Sequence, residues 1–180
     1  MLTTDQKGAI AETAIAFAAI KLGIEVYRPI FEGGRYDFIF EAGGALSRIQ
    51  CKWAALRDDV VDVRCYSSRR TATGIRRRVY TADEVDIIVA YCLDLDRCYA
   101  VPSDVFSGHP ALRLRVGKCR SNQCRRVRWA DDYALERLHW LPQGAVAQLG
   151  ERRHGMAKAT GSSPVGSTAE AAQDGRLGLL

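Results

Sequence analysis

The sequence predicts an α/β domain, on three observations. An alanine-rich apolar stretch with a helix stop signal opens the chain. A succession of strand-length segments follows it. Two adjacent glycines separate a pair of those segments where a tight hairpin turn belongs. The 180 residues are enough for one domain with its own core. We expect that domain to span residues 1–143.

Taken in order, residues 5–22 read as a helix. Thr4 or Asp5 can cap it, and Gly23 sits where a C-terminal glycine belongs. It is apolar around most of its circumference, so deep burial is expected. Residues 24–29 form a first strand closed by Pro29, and 30–34 make a turn. Residues 35–41 and 46–53 are strands joined through Ala42-Gly43-Gly44-Ala45. A fourth strand covers 60–66, and a basic loop covers 67–78. Residues 85–92 form a buried strand with 97–101 as its hairpin partner. Residues 111–116 and 124–128 read as a short pair, and 130–139 as a last helix.

From Gly144 the chain turns rich in Gly, Ala and Ser and loses its aromatic residues, which predicts a disordered tail over 144–180. Within it, VAQLGERRHGMAKATGSSPVGST is similar to the peptide made when a reading frame runs on through a transfer-RNA gene.

The composition, 47% hydrophobic and 26% charged, is that of an ordinary globular protein. No apolar run reaches membrane-spanning length, and the first residues lack the layout of a signal peptide, so no membrane partner and a cytoplasmic location are expected. The six cysteines include no CxxC pair and read as reduced thiols. A zinc site from Cys92, Cys98, Cys119 and Cys124 can be drawn, but its spacings fit poorly. The net charge of +5 is unevenly spread: Arg64, Arg69, Arg70, Arg76, Arg77 and Arg78 fall in a stretch without acidic residues, and Lys118, Arg120, Arg125, Arg126 and Arg128 form a second basic group. Guanidinium groups make paired hydrogen bonds to phosphate, which points to nucleic acid.

The chemistry gathers at the glycine turn. Gly43-Gly44 suits a type I′ turn, which places Ala42 opposite Ala45. Asp37 then falls opposite Gln50, and Arg35 opposite Lys52. Side chains alternate along a strand and cross-strand partners share a face, so Asp37, Gln50 and Lys52 point one way. Ile49, Cys51 and Trp53 point the other way, with Tyr36, Phe38 and Phe40. A carboxylate and an amide oxygen suit a hard cation such as Mg²⁺. A lysine beside them can orient water or offset charge on a phosphate. Glu12, whose helical neighbours Ile15, Ala16 and Ala19 are apolar, is a candidate second carboxylate. Its bland alternative is a helix-edge glutamate paired with Arg or Lys.

The order of a helix Glu, then Tyr-Asp, then Ile-Gln-Cys-Lys resembles the PD-(D/E)xK nucleases. It is more closely similar to their group I intron homing endonuclease branch, where glutamine replaces an acid. The resemblance runs through GAIAETAIAFAAIKLGIEVYRPIFEGGRYDFIF, SRIQCKWA, EVDIIVAYCLDLDRCYAVPSDVF and VRWADDYALERL. It implies a restriction-endonuclease-like fold, a mixed central sheet flanked by helices. It implies Glu12, Asp37, Gln50 and Lys52 as the catalytic set, Mg²⁺ as cofactor held by Glu12, Asp37 and Gln50, and double-stranded DNA as substrate. Cleavage of both strands implies a homodimer or homotetramer, since each subunit has one site. Arg35 and the arginines of 64–78 are the candidate DNA contacts. Two rivals share the motif: a Holliday-junction-resolvase-like enzyme, and a DNA-binding protein without catalysis, which Gln50 in place of an acid keeps open.

Overall fold

A computed structural model describes residues 1–31, 33–118 and 126–140. The tail over 144–180, with Cys119 and Cys124, lies outside the described residues. The helix α1 (Thr4–Lys21) precedes β1 (Glu25–Tyr27), β2 (Phe38–Ala42), β3 (Ala45–Arg57) and β4 (Val60–Arg64). There follow β5 (Tyr66–Thr71), β6 (Gly74–Val79), β7 (Ile87–Cys92), β8 (Arg97–Pro102), the single turn α2 (Ser103–Phe106) and β9 (Ala111–Arg115).

The cap of α1 is Thr3, one residue before the expected positions. Its hydroxyl accepts from the Gln6 N–H, and the Gln6 side chain accepts from the Thr3 N–H. This reciprocal pairing satisfies two amide groups that the first helical turn leaves without partners. Gly23 adopts φ +75° just past the helix end, as its position predicts.

The centre of the molecule is β3. Its first half pairs antiparallel with β2 on one side and parallel with β7 on the other. Its second half leaves that sheet to pair with β4, which pairs in turn with β9. β1 extends the sheet beyond β2, and β8 extends it beyond β7. The sheet is therefore mixed, with the β3–β7 pair as its parallel step. Arg48 and Asp86 pin the entry to that step: the Asp86 carboxylate accepts from the Arg48 backbone N–H at 2.7 Å and from its guanidinium at 2.7 and 2.9 Å. Such bidentate contacts fix register as well as charge.

Alternation along β3 and β7 sends side chains into two cores. Phe38, Phe40, Ile49, Cys51, Ile87 and Val89 pack under Ala11, Ile15 and Ala19 of α1. Ala54, Ile88, Ala90, Tyr99 and Val101 pack on the other side against Val61, Val63, Leu112 and Leu114 of β4 and β9. The mixed sheet carries α1 on one side, as the fold class predicts, and the antiparallel β3–β4–β9 layer packs on the other. α1 departs from expectation. Phe17 and Ile20 stay 64% and 62% exposed, because the sheet covers one face of the helix only.

Three further expectations are corrected. The basic loop of 67–78 is the hairpin β5–β6, paired from Tyr66↔Val79 to Thr71↔Gly74. β9 has its ladder with β4, and only at its last residue does Arg115 donate its N–H to the Arg128 carbonyl at 2.8 Å and form a parallel bridge with Trp129, while 124–125 lie outside the described residues. The last helix is two 3-10 segments, Ala130–Tyr133 and Leu135–Trp140. Cys92 and Cys98 belong to opposite cores, so they cannot share a metal. Among the described residues no helix is long and apolar enough to cross a membrane.

Candidate active site

The β2–β3 turn forms as its glycines dictate. Gly43 and Gly44 take φ +58° and +80°, and Ala42 pairs with Ala45. The ladder runs back to Phe38↔Ile49, and there regular pairing stops. Asp37 still sends its backbone N–H to the Ile49 carbonyl at 2.8 Å. Its carboxylate takes the place of the next ladder acceptor, receiving the Cys51 N–H at 2.8 Å and the Gln50 Nε2. The aspartate thus caps the open edge of β3. That is a local reason for its position beyond any chemistry, because a buried strand N–H must find an acceptor.

Arg35 does not lie opposite Lys52. It turns inward and donates to Ser67 Oγ at 2.8 Å, the Val79 carbonyl at 3.1 Å and Glu84 Oε2 at 2.8 Å. Its guanidinium stacks over the Tyr80 ring, 4.2 Å from the centroid. Arg35 is therefore committed to internal contacts and is set apart from the other arginines proposed to meet DNA. Lys52 reaches the same tyrosine from β3, donating to Tyr80 Oη at 2.8 Å. Tyr80, only 2% exposed, carries no sequence signal beyond following the basic segment, and sequence reasoning missed it.

Glu12 approaches from α1. Its carboxylate accepts from Arg28 Nη2 at 2.6 Å, the pairing anticipated as its bland alternative. Glu12, Arg28 and Asp37 line one cleft of about 520 Å³, so the pairing leaves Glu12 beside Asp37. A second cleft of about 470 Å³ is lined by Lys52, Trp53, Asp62, Arg64, Tyr66 and Ser68 among others. Thr4 and Gly8 of α1 border both clefts, so the two adjoin at the start of the helix.

Electrostatics couple these groups. Burial pushes the Asp37 carboxyl up, against the Cys51 N–H and the charges of Lys52 and Arg28, which pull it down. Burial pushes Lys52 down, with the Asp37 charge opposing and the Arg35 charge adding. The Cys51 thiol goes up through burial, then through Asp37 and Glu12. Desolvated charges of opposite sign in one neighbourhood are a mark of functional sites.

The donor set tests what the site could hold. Among the described residues no three His, Cys, Asp or Glu side chains converge as a metal cluster. Two carboxylates and one amide remain, all offering oxygen, and that fits a hard divalent cation that keeps several waters. Gln50, 6% exposed, presents Nε2 to Asp37. Turning the amide end over would present Oε1 at no cost in volume.

The structure brings Glu12, Asp37, Gln50 and Lys52 around the middle of β3. Arg64 joins them at the Lys52 cleft. Arg69, Arg70, Arg76, Arg77 and Arg78 are exposed along the β5–β6 ribbon. Arg78 also pairs with Glu84, and Arg77 stacks on Tyr66.

Residues 2–136 match the family model of the PD-(D/E)XK endonucleases. Among solved structures, a bacterial homing endonuclease, I-Ssp6803I, aligns with a TM-score of 0.63 at 26% identity, covering 82% of this chain and 98% of that one. No curated protein matches the sequence.

Proposed function

This chain belongs to the PD-(D/E)XK endonucleases, and from that membership we propose a metal-dependent enzyme that hydrolyses phosphodiester bonds at a specific site in double-stranded DNA. The fold is restriction-endonuclease-like. The observation that carries the proposal is the gathering of Asp37, Gln50 and Lys52 at the middle of β3, with Glu12 bordering the same cleft as Asp37.

Glu12, Asp37 and Gln50 would hold the cation, and Mg²⁺ is the cofactor their oxygens suit best. When bound, it would polarise the scissile phosphate and lower the pKa of a bound water. The chain's own work is positional. Asp37 is fixed by the Cys51 N–H, and Gln50 is fixed against Asp37. Lys52 stands desolvated within the field of Asp37, where its ammonium offsets charge gathering on a phosphate in the cleft. Arg28 supplies positive charge beside both carboxylates, which eases the approach of a DNA backbone to an acidic site.

The ribbon supplies the reading surface. A two-stranded antiparallel ribbon fits the major groove of B-DNA. Cross-strand pairing places Arg70 and Arg77 on one face and Arg69 and Arg76 on the other. With one site per chain, cutting both strands requires a homodimer or homotetramer. Likeness to a homing endonuclease supports the same role here, as the product of a mobile intron.

The test is cleavage of linear duplex DNA carrying the intron insertion junction, with and without Mg²⁺. We expect discrete magnesium-dependent products, lowered by about 10²-fold or more in Asp37→Ala and Lys52→Ala. One observation favours a second reading. Gln50 turns its NH₂ toward Asp37, as a protein that binds DNA without cutting it could do. Tight binding of the wild type with no product at any divalent metal would establish that alternative. Branched substrates cut in preference to linear ones would point instead to a resolvase-like enzyme.

A further inference from the structure

The β5–β6 ribbon and Lys52 meet at one buried point. Arg35 bonds Ser67 on β5 and the Val79 carbonyl on β6, so a single side chain ties both strands of the ribbon to the body. Glu84 accepts from the same Arg35 Nη2 that serves the Val79 carbonyl and also pairs with Arg78 of β6. The flat face of Arg35 lies on the Tyr80 ring, and the Tyr80 hydroxyl receives Lys52 Nζ. Lys52 Nζ also sits 4.7 Å from the centroid of that ring. Two cations thus share one buried aromatic ring.

We propose that Tyr80, clamped by Arg35, is a positioning residue that sets where the Lys52 ammonium stands. The inference rests on the catalytic reading of Lys52 given above. The chemistry needs such a device. A lysine ends in a point charge on four flexible methylenes, and nothing in its own backbone fixes that charge. A shift of about 1 Å in a reacting group costs on the order of 10²-fold in rate. Tyr80 supplies a direction through its hydroxyl and a wall through its ring. Arg35 keeps the ring still, because its planar group is held by three acceptors on three segments. Since two of those acceptors belong to the ribbon, the part that meets DNA and the lysine that serves the phosphate are seated on the same support.

Single-turnover cleavage of the insertion-junction duplex, at saturating enzyme, tests this with Tyr80→Phe and Arg35→Lys beside Lys52→Ala. Tyr80→Phe keeps the ring and removes the hydroxyl. We expect its cleavage rate to fall about tenfold or more, while duplex affinity in metal-free buffer and the melting temperature stay at wild-type values. Arg35→Lys keeps the charge but cannot reach all three acceptors, and it should lose rate as well. A merely structural tyrosine would move affinity or melting together with rate. A wild-type rate in Tyr80→Phe, beside an inactive Lys52→Ala, overturns the inference and leaves the catalytic reading intact. A wild-type rate in Lys52→Ala brings down that reading, and the role of Tyr80 with it.

Discussion

The molecule contains two hairpins built on opposite plans. β2–β3 is turned by two positive-φ glycines, and it lies in the main sheet with Phe38, Phe40 and Ile49 fully interior. β5–β6 turns through Ala72 and Thr73, neither with positive φ, and exposes nearly all of its side chains. Burial specifies the register of the first, because a one-residue slip would turn its apolar set to solvent. No such penalty guards the second. Its seating depends on a few polar ties to Arg35 and Glu84. The hairpin proposed to carry the chemistry is therefore rigid by packing, and the hairpin proposed to meet DNA is held at its base and left open along its length.

Truncation should separate the two most sharply. Ile49→Ala opens a cavity in a fully buried position and should cost about 2–5 kcal/mol, whereas Ile75→Ala, at 70% exposure, should stay within about 0.5 kcal/mol. Urea denaturation measures both, and equal losses would break the contrast. Charge removal should reverse the ranking. Replacing Arg69, Arg70 and Arg77 by Gln should leave unfolding unchanged. The slope of log affinity for duplex DNA against log salt should become shallower by about 0.9 for each phosphate the ribbon no longer neutralises. An unaltered slope would remove the ribbon from the interface.

A smaller effect belongs to the turn. Gly44→Ala puts a Cβ on a φ of +80° with open space around it, so its cost is conformational, about 1 kcal/mol, read by the same denaturation. The smallest concerns Glu84. Burial would raise its carboxyl, but the Arg35 hydrogen bond and the charges of Arg35 and Arg78 hold it below the usual value. A depressed carboxyl stabilises the fold above its unfolded pKa, and that stability is lost as pH falls through the folded value. Acidification below about pH 4 should thus loosen the ribbon's base first. Glu84→Gln should flatten that part of the stability profile.

The same contrast explains what could be read in advance. The meeting of Asp37 with Gln50 was legible because Gly43-Gly44 fixes a turn type, and a turn type fixes who faces whom. The Arg28 pairing of Glu12 was legible as one of two readings, because a carboxylate that interrupts an apolar stripe needs a partner. The ribbon was not, since five arginines among Ser and Thr carry no alternation for a strand to reveal. Arg35 misled the strand pattern for a physical reason. The ladder ends at Phe38, and beyond it the chain follows a half-buried salt bridge rather than the pleat. Tyr80 was hidden because its meaning lies in partners far away in the chain, Lys52 and Arg35. The outward face of α1 was misjudged because a helix's apolar girth does not say how much of it a sheet will cover.

The parallel pairing of β3 with β7 requires the chain to travel away and return, and the ribbon sits inside that excursion. Closing a loop costs entropy only as the logarithm of its length, about 0.6 kcal/mol for each doubling. A lineage could therefore lengthen, shorten or rewrite the ribbon's outer residues at little thermodynamic expense to the scaffold, provided Ser67 and the Val79 backbone still meet Arg35. If the ribbon meets DNA as proposed, new target sequences would then be reachable by drift in one segment, while the residues at the middle of β3 stay as they are.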